Sequence, residues 1–181
     1  MGDLTKAISK IKVLATDVDG VLTDSTILFG SDGVEYKRFS VEDGAGAAYS
    51  DLAGIPVVFI SARFSVCTAL RASEMKVSRC YQGSLDKLGQ LSRLCKDLSV
   101  TDKEVAYIGD GLVDIPVMER VGVSFTVPDA QQMVKDAADY ITTKPGGRGA
   151  FREVVDIILK EKGIFDKVYA KMQKEIYKSG A

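Results

Sequence analysis

Residues 13–24 read Val13-Leu14-Ala15-Thr16-Asp17-Val18-Asp19-Gly20-Val21-Leu22-Thr23-Asp24, and the rest of the chain is organised around them. A short apolar run ends abruptly in acid. On an extended chain Asp17 and Asp19 point the same way, roughly 7 Å apart. Two aligned carboxylates repel unless a cation sits between them. Surface acids at a strand end are the plain reading. A buried strand, however, has no need of two aligned carboxylates followed by a permissive glycine. The pattern favours a metal site with a nucleophile, at the tip of a parallel strand where open α/β sheets place their chemistry.

The surrounding sequence narrows the class. A chain of 181 residues suits one domain, 1–181, with a sizeable core. No apolar run is long enough to span a bilayer. Residues 1–12 have no apolar signal region, and Asp3 with no hydroxyl at position 6 gives little support for myristoylation. A cytoplasmic protein without a membrane partner is expected. A net charge of -1 argues against a nucleic-acid partner. Cys67, Cys80 and Cys95 are odd in number and lack CxxC spacing, so reduced core cysteines are expected. The chain has no histidine, which excludes phosphohistidine chemistry, Ser-His-Asp triads and His-ligated zinc.

After a lead-in helix (3–10) and a first strand (11–16), residues 25–41 break the pattern. Thr26 to Phe29 and Glu35 to Phe39 are β-rich, with turn chemistry in Ser31-Asp32-Gly33, so an inserted hairpin is predicted. A lone hairpin is marginal in water; this one is expected to pack on another copy of itself or to cover the active site. From residue 42 helices and strands alternate. Strands are predicted at 55–60, 79–82, 104–108, 123–126 and 140–142. Helices are predicted at 42–52, 64–73, 85–97, 113–121, 130–137 and 148–162, with a charged helical tail over 164–177. Repeated strand-helix units mean an α/β fold: a parallel sheet with right-handed crossovers and helices on both faces.

Several strand ends carry unusual residues. After Val57-Val58-Phe59-Ile60 stand Ser61-Ala62-Arg63, where a hydroxyl and helix-start amides can bind a phosphate. Ser61 alone would read as a helix cap. Lys87 follows Gly83-Ser84-Leu85-Asp86; an early helical lysine opposes the helix dipole and wants a separate reason. Ile108-Gly109-Asp110-Gly111-Leu112-Val113-Asp114 places two more acids beside the first pair if the strands are neighbours. Asp17, Asp19, Asp110 and Asp114 together favour Mg²⁺, which takes hard oxygen ligands and keeps several waters; Asp17, a main-chain carbonyl and Asp110 would suffice. Mg²⁺ and Lys87 would let an anionic Asp17 approach a phosphate, and Asp19 could give a proton to the leaving alkoxide and then act as base for water.

In this order, DVDGVLTD, ISAR, YQGSLDK and GDGLVDIPVM resemble the haloacid dehalogenase superfamily of aspartyl phosphatases. The likeness is greater to the 3-deoxy-D-manno-octulosonate 8-phosphate (KDO 8-phosphate) phosphatases, over residues 10–160. The resemblance implies a Rossmann-like core without a separate cap domain and a Mg²⁺ cofactor. It implies Asp17 as nucleophile and Asp19 as acid/base with its carbonyl on Mg²⁺. Asp110 would be a metal ligand, Ser61 and Lys87 would bind the phosphate, Ala62 and Arg63 would join them in the substrate and phosphate site, and Asp114 would support Lys87. It further implies a phosphorylated sugar acid as substrate, a place in lipopolysaccharide biosynthesis, and a homotetramer whose hairpins pair at its centre.

Two departures stand out. Relatives often carry Asp where this chain has Gly111, and Gly where it has Ala62. A sister branch acting on nine-carbon sialic-type sugar 9-phosphates tends to have an acid at the place of Arg63, so Arg63 favours the octulosonate branch. Receiver domains share an acceptor Asp with nearby acids, a hydroxyl and a lysine, but their acceptor lies on a later strand than the acidic pair. A non-catalytic relative is disfavoured because every required side chain is present. For Lys144-Pro145-Gly146-Gly147-Arg148-Gly149 two readings stand: a plain loop, or a segment whose Arg148 reaches a substrate carboxylate or a neighbouring subunit.

Overall fold

The apolar runs form a six-stranded parallel sheet in the computed structural model, which describes residues 2–178. Met1 and the end of the tail, 179–181, lie outside the described residues. In chain order the structure has α1 (Gly2–Ser9), β1 (Val13–Thr16), β2 (Leu28–Phe29), β3 (Glu35–Tyr36), α2 (Val41–Leu52) and β4 (Val57–Ser61). Then come α3 (Val66–Glu74), β5 (Arg79–Gln82), α4 (Lys87–Leu98), β6 (Val105–Ile108), α5 (Ile115–Met118) and β7 (Val123–Thr126). The chain ends with α6 (Gln132–Ala137), β8 (Tyr140–Ile141), α7 (Ala150–Glu161) and α8 (Phe165–Lys178). The sheet order is β5-β4-β1-β6-β7-β8. Every residue of β1, β4, β6 and β7 is buried, as expected of strands covered on both faces. On one side α1, α2, α7 and α8 contact one another; α4, α5 and α6 form a second group.

The topology positions the chemistry. β1 pairs with β4 on one edge (Ala15↔Val58) and with β6 on the other (Thr16↔Ile108). From β1 the chain winds outward through β4 and β5, then returns to lay β6 beside β1 and winds the other way. The connections leaving β1 and β6 therefore diverge and open a crevice between their C-terminal ends, the place where doubly wound sheets bind ligands. Asp17 follows β1 and Asp110 follows β6.

Local boundaries differ from the sequence reading for identifiable reasons. The hairpin ladder holds only Leu28↔Tyr36 and Phe29↔Glu35, because the chain beyond Tyr36 turns inward: Lys37 reaches Asp19, and Phe39 packs on the core under Arg71, 5.6 Å from its ring centre. The helix expected over 113–121 is shorter. A 3-10 turn, Leu112–Asp114, precedes α5, with Pro116 in its first turn, and the backbone bonds tighten again at Arg120. All three cysteines are free and half-buried; Cys80 and Cys95 pack against the core from its margin.

Candidate active site

The strand ends at Thr16 and the chain turns at once. The Asp17 amide makes the last bond of the ladder, to Ile108 O (2.9 Å), and Val18 O accepts from the amides of Leu22 and Thr23 (3.0 and 3.1 Å). Strand alternation therefore does not reach Asp19, and the turn rather than an extended chain sets the spacing of the two carboxylates. Asp17 and Asp19 instead meet different lysines: Lys87 Nζ lies 2.7 Å from Asp17 Oδ2, and Lys37 Nζ lies 2.6 Å from Asp19 Oδ1. Gly20 is obligatory here. Its φ is +99°, and a Cβ would sit 2.0 Å from Asp110 Oδ2. That same crowding brings the Asp110 carboxylate against the Asp17–Gly20 turn.

Lys87 is the first residue of α4, whose N-cap Asp86 accepts from the Gly89 amide. Its side chain is 1% exposed and also contacts Asp114 Oδ1 at 2.5 Å. Two carboxylates explain an early helical lysine that the dipole alone would disfavour. Burial pulls the Lys87 ammonium toward neutrality, but Asp17 and Asp114 outweigh burial and its pKa is raised. The Tyr107 hydroxyl, buried at the middle of β6, donates to the same Asp114 oxygen (2.5 Å). Asp114 Oδ2 accepts from the amides of Asp110 and Gly111 (3.1 and 2.9 Å). Gly109 packs on this carboxylate so closely that a Cβ would fall 2.5 Å from its Cγ. At Gly111 a Cβ would meet only ordinary contacts, the nearest at 3.5 Å, so crowding does not force the glycine there.

The carboxylates of Asp17, Asp110 and Asp114 have oxygens within 4.8 Å of one another, a geometry that could hold a metal ion. Asp114 is already committed on both oxygens, whereas Asp110 forms no ion pair among the described residues. Burial, then the nearby Asp114, push Asp17 up to about 8 and Asp110 up to about 7. A divalent cation between Asp17 and Asp110 would relieve both penalties, so this donor set fits Mg²⁺.

Ser61 is the buried last residue of β4 and donates to Arg63 O (3.1 Å); the cap of α3 is Ser65. Ala62 and Arg63 are half-buried beside it. Arg63 Nη2 pairs with Glu35 (2.9 Å), which also accepts from the Ser65 hydroxyl (2.6 Å), and Arg63 Nη1 stands 3.5 Å from Asp19 Oδ2. Hydrogen bonding from Ser65 and pairing with Arg63 hold the Glu35 carboxyl below its ordinary pKa. Sequence reasoning missed Glu35, Lys37 and Tyr107.

The glycine-rich loop is a packing element. A Cβ at Gly146 would lie 1.9 Å from Gly20 O, and the Gly147 amide donates to Val21 O (2.9 Å). Buried Asp43 of α2 accepts from the Arg152 amide (2.9 Å) at the start of α7, and burial raises its pKa to about 6. The Arg148 side chain is exposed and has no partner among the described residues.

The haloacid dehalogenase-like hydrolase family model matches residues 59–151. The KDO 8-phosphate phosphatase KdsC of Escherichia coli (strain K12) is 40% identical over 165 residues, spanning 91% of this chain and 88% of the relative. This chain belongs to the haloacid dehalogenase-like hydrolases, in the KDO 8-phosphate phosphatase family. Another phosphatase of the family, KdsC of Salmonella typhimurium, is 42% identical over 91% of this chain and 87% of its own. Among solved structures, that of the KDO 8-phosphate phosphatase of Moraxella catarrhalis, in complex with magnesium ion, phosphate ion and KDO, superposes with a TM-score of 0.92. It is 39% identical, covering 95% of this chain and 99% of that one. The cobalt-bound form of the family's phosphatase from Haemophilus influenzae has a TM-score of 0.85 at 38% identity, covering 88% of this chain and 93% of that one.

Proposed function

We propose that the chain is a Mg²⁺-dependent phosphatase that hydrolyses KDO 8-phosphate to KDO and phosphate through an aspartyl-phosphate. The observation that carries the reading is the buried Asp17–Lys87 pair at the β1/β6 crevice, beside an Asp110 that has no ion pair among the described residues. The choice of sugar follows the likeness to the Moraxella catarrhalis enzyme, whose structure holds magnesium, phosphate and KDO. Residues 1–181 act as one phosphatase domain, in the cytoplasm.

Asp17 attacks the phosphorus while the bond to the sugar oxygen breaks. Asp19 gives its proton to the departing alkoxide, then takes one from the water that hydrolyses the aspartyl-phosphate. Lys87 and Ser61 bind phosphate oxygens, with Ala62 beside them, and Asp114 keeps Lys87 charged and in place. Arg63 faces the sugar acid. Asp17, Asp110 and the Asp19 carbonyl would hold Mg²⁺, which would supply neutralisation of the phosphate's charge. Turnover of a panel of sugar phosphates, with and without Mg²⁺, tests the assignment. Preference for a nine-carbon sugar acid 9-phosphate would replace the substrate, and full activity after exhaustive chelation would remove the metal.

A pH dependence follows from the raised carboxyl pKa values. Below about 7 to 8 the metal-free protein holds protons on Asp110 and Asp17 that Mg²⁺ must displace. The Mg²⁺ concentration giving half-maximal activity is therefore expected to fall as pH rises from about 6 to about 9. Both groups bind protons more tightly folded than unfolded. Their contribution to metal-free stability is thus lost as pH rises through these values, and Mg²⁺ should restore it. A half-saturation point that does not move with pH would contradict this ligand set.

The assembly is a homotetramer built on 25–41. Ile27, Leu28, Phe29, Val34 and Tyr36 are 46–61% exposed on a two-stranded ribbon that cannot bury them. Such surface marks interfaces, and closed symmetry removes the free strand edges. Light scattering is expected to give four times the chain mass for the wild type and a smaller mass when Ile27 and Phe29 become Asp. A monomeric wild type, or a double variant of unchanged mass, rejects the assembly.

A further inference from the structure

The hairpin carries a buried cation that the mechanism above does not use. Lys37 follows β3, and its side chain is only 1% exposed. Its ammonium lies 2.6 Å from Asp19 Oδ1 and 3.2 Å from Thr68 Oγ1 of α3. The two oxygens of Asp19 are therefore unlike. Oδ1 is held by Lys37, while Oδ2 is buried without a hydrogen bond and faces Arg63 Nη1, which also lacks one among the described residues. Arg63 is kept from closing that gap by its pair with Glu35.

We propose that Lys37 is a positioning residue for proton exchange at Asp19: it pins Oδ1 and leaves Oδ2 as the oxygen that gives and takes the proton. The proposal rests on the phosphatase reading above. As the phosphorus–oxygen bond to the sugar breaks and the bond to Asp17 forms, the proton on Oδ2 passes to the alkoxide and leaves Asp19 as carboxylate. Water then delivers hydroxide to the phosphorus and a proton back to Oδ2 while the phosphorus–oxygen bond to Asp17 breaks, which releases phosphate and closes the cycle without another reactant. Without Lys37 the carboxylate keeps only the looser approach of Arg63, and the proton donor loses its aim.

The experiment uses the full chain with Mg²⁺ and compares kcat/KM for alkyl and aryl phosphates. This ratio covers steps only through leaving-group departure. A sugar alkoxide needs the proton, whereas the phenolate of p-nitrophenyl phosphate leaves without it. For Lys37→Met the alkyl ratio is expected to fall by about 10²-fold or more and the aryl ratio by less than about 10-fold, with molecular mass unchanged. Equal falls on both substrates would make Lys37 a merely structural residue, and no fall on either would remove its role; both overturn the proposal. Lys37→Gln, which keeps an amide donor, carries the same comparison if Lys37→Met does not fold. A wild type that hydrolyses other alkyl phosphates but not KDO 8-phosphate ends the substrate reading alone, and the Lys37 comparison is then made on those phosphates.

Discussion

Asp17→Asn is expected to fold and to lose turnover by about 10⁴-fold or more, the scale seen when a covalent nucleophile is removed. The change is nearly isosteric, and an amide cannot form the acyl phosphate. Folding should survive because the ionised carboxylate is costly where it sits: burial and Asp114 raise its pKa to about 8 despite Lys87. An asparagine removes that cost above this pH, so the metal-free variant is expected to melt no lower than the wild type there. Acid quench with labelled substrate should trap an aspartyl-phosphate in the wild type and none in the variant. A well-folded variant retaining more than about one hundredth of the rate would remove the covalent mechanism.

Lys87→Met is expected to damage both activity and stability. At about 4 Å and an effective dielectric near 20, a unit-charge pair amounts to about 4 kcal/mol, and Lys87 touches two carboxylates at shorter range. Removing one partner from a buried pair typically costs about 3–5 kcal/mol because the other charge stays behind. In the wild type Lys87, with its pKa raised, remains charged throughout the neutral range and its contribution is fully present. In the variant Asp17 loses its cation and holds its proton more tightly still. The deficit should therefore be largest at alkaline pH and shrink as pH falls and Asp17 stays protonated. Denaturant titration of metal-free protein at several pH values checks it; a deficit that does not change with pH would mean that the loss comes from packing. Turnover should fall by about 10³-fold, in keeping with one lost charge-assisted contact in a buried site.

The alternation of strands and helices was readable because each strand is an apolar run cut off by chemistry: Asp17 after β1, Ser61 ending β4, Asp110 after β6. Lys87 announced itself by opposing the dipole of α4. Lys37 gave no such signal. A lysine among alternating polar and aromatic residues of a hairpin reads as a solvated face, and only the inward turn after Tyr36 buries it. Tyr107 stands in the strand predicted over 104–108 and is fully buried; nothing in Val105-Ala106-Tyr107-Ile108 says that its hydroxyl meets Asp114. The glycines at 146 and 147 read equally well as a loose loop. Their purpose lies in a close approach to residues 20–24, far away in sequence. Asp43 likewise caps a helix that begins at Ala150, a pairing no local pattern encodes.

That close approach bears on how the protein is made. The nucleophile's strand leaves the ribosome early, yet both of its neighbours, β4 and β6, are synthesised later. The backbone that covers its acidic turn arrives only with Gly146 and Gly147. For most of translation the nascent chain thus carries a buried-type strand with open edges and a cluster of acids lacking their cover. Chains cut short ahead of residue 146 should be recognisable to proteases as unfinished, while their full-length siblings close the turn and escape.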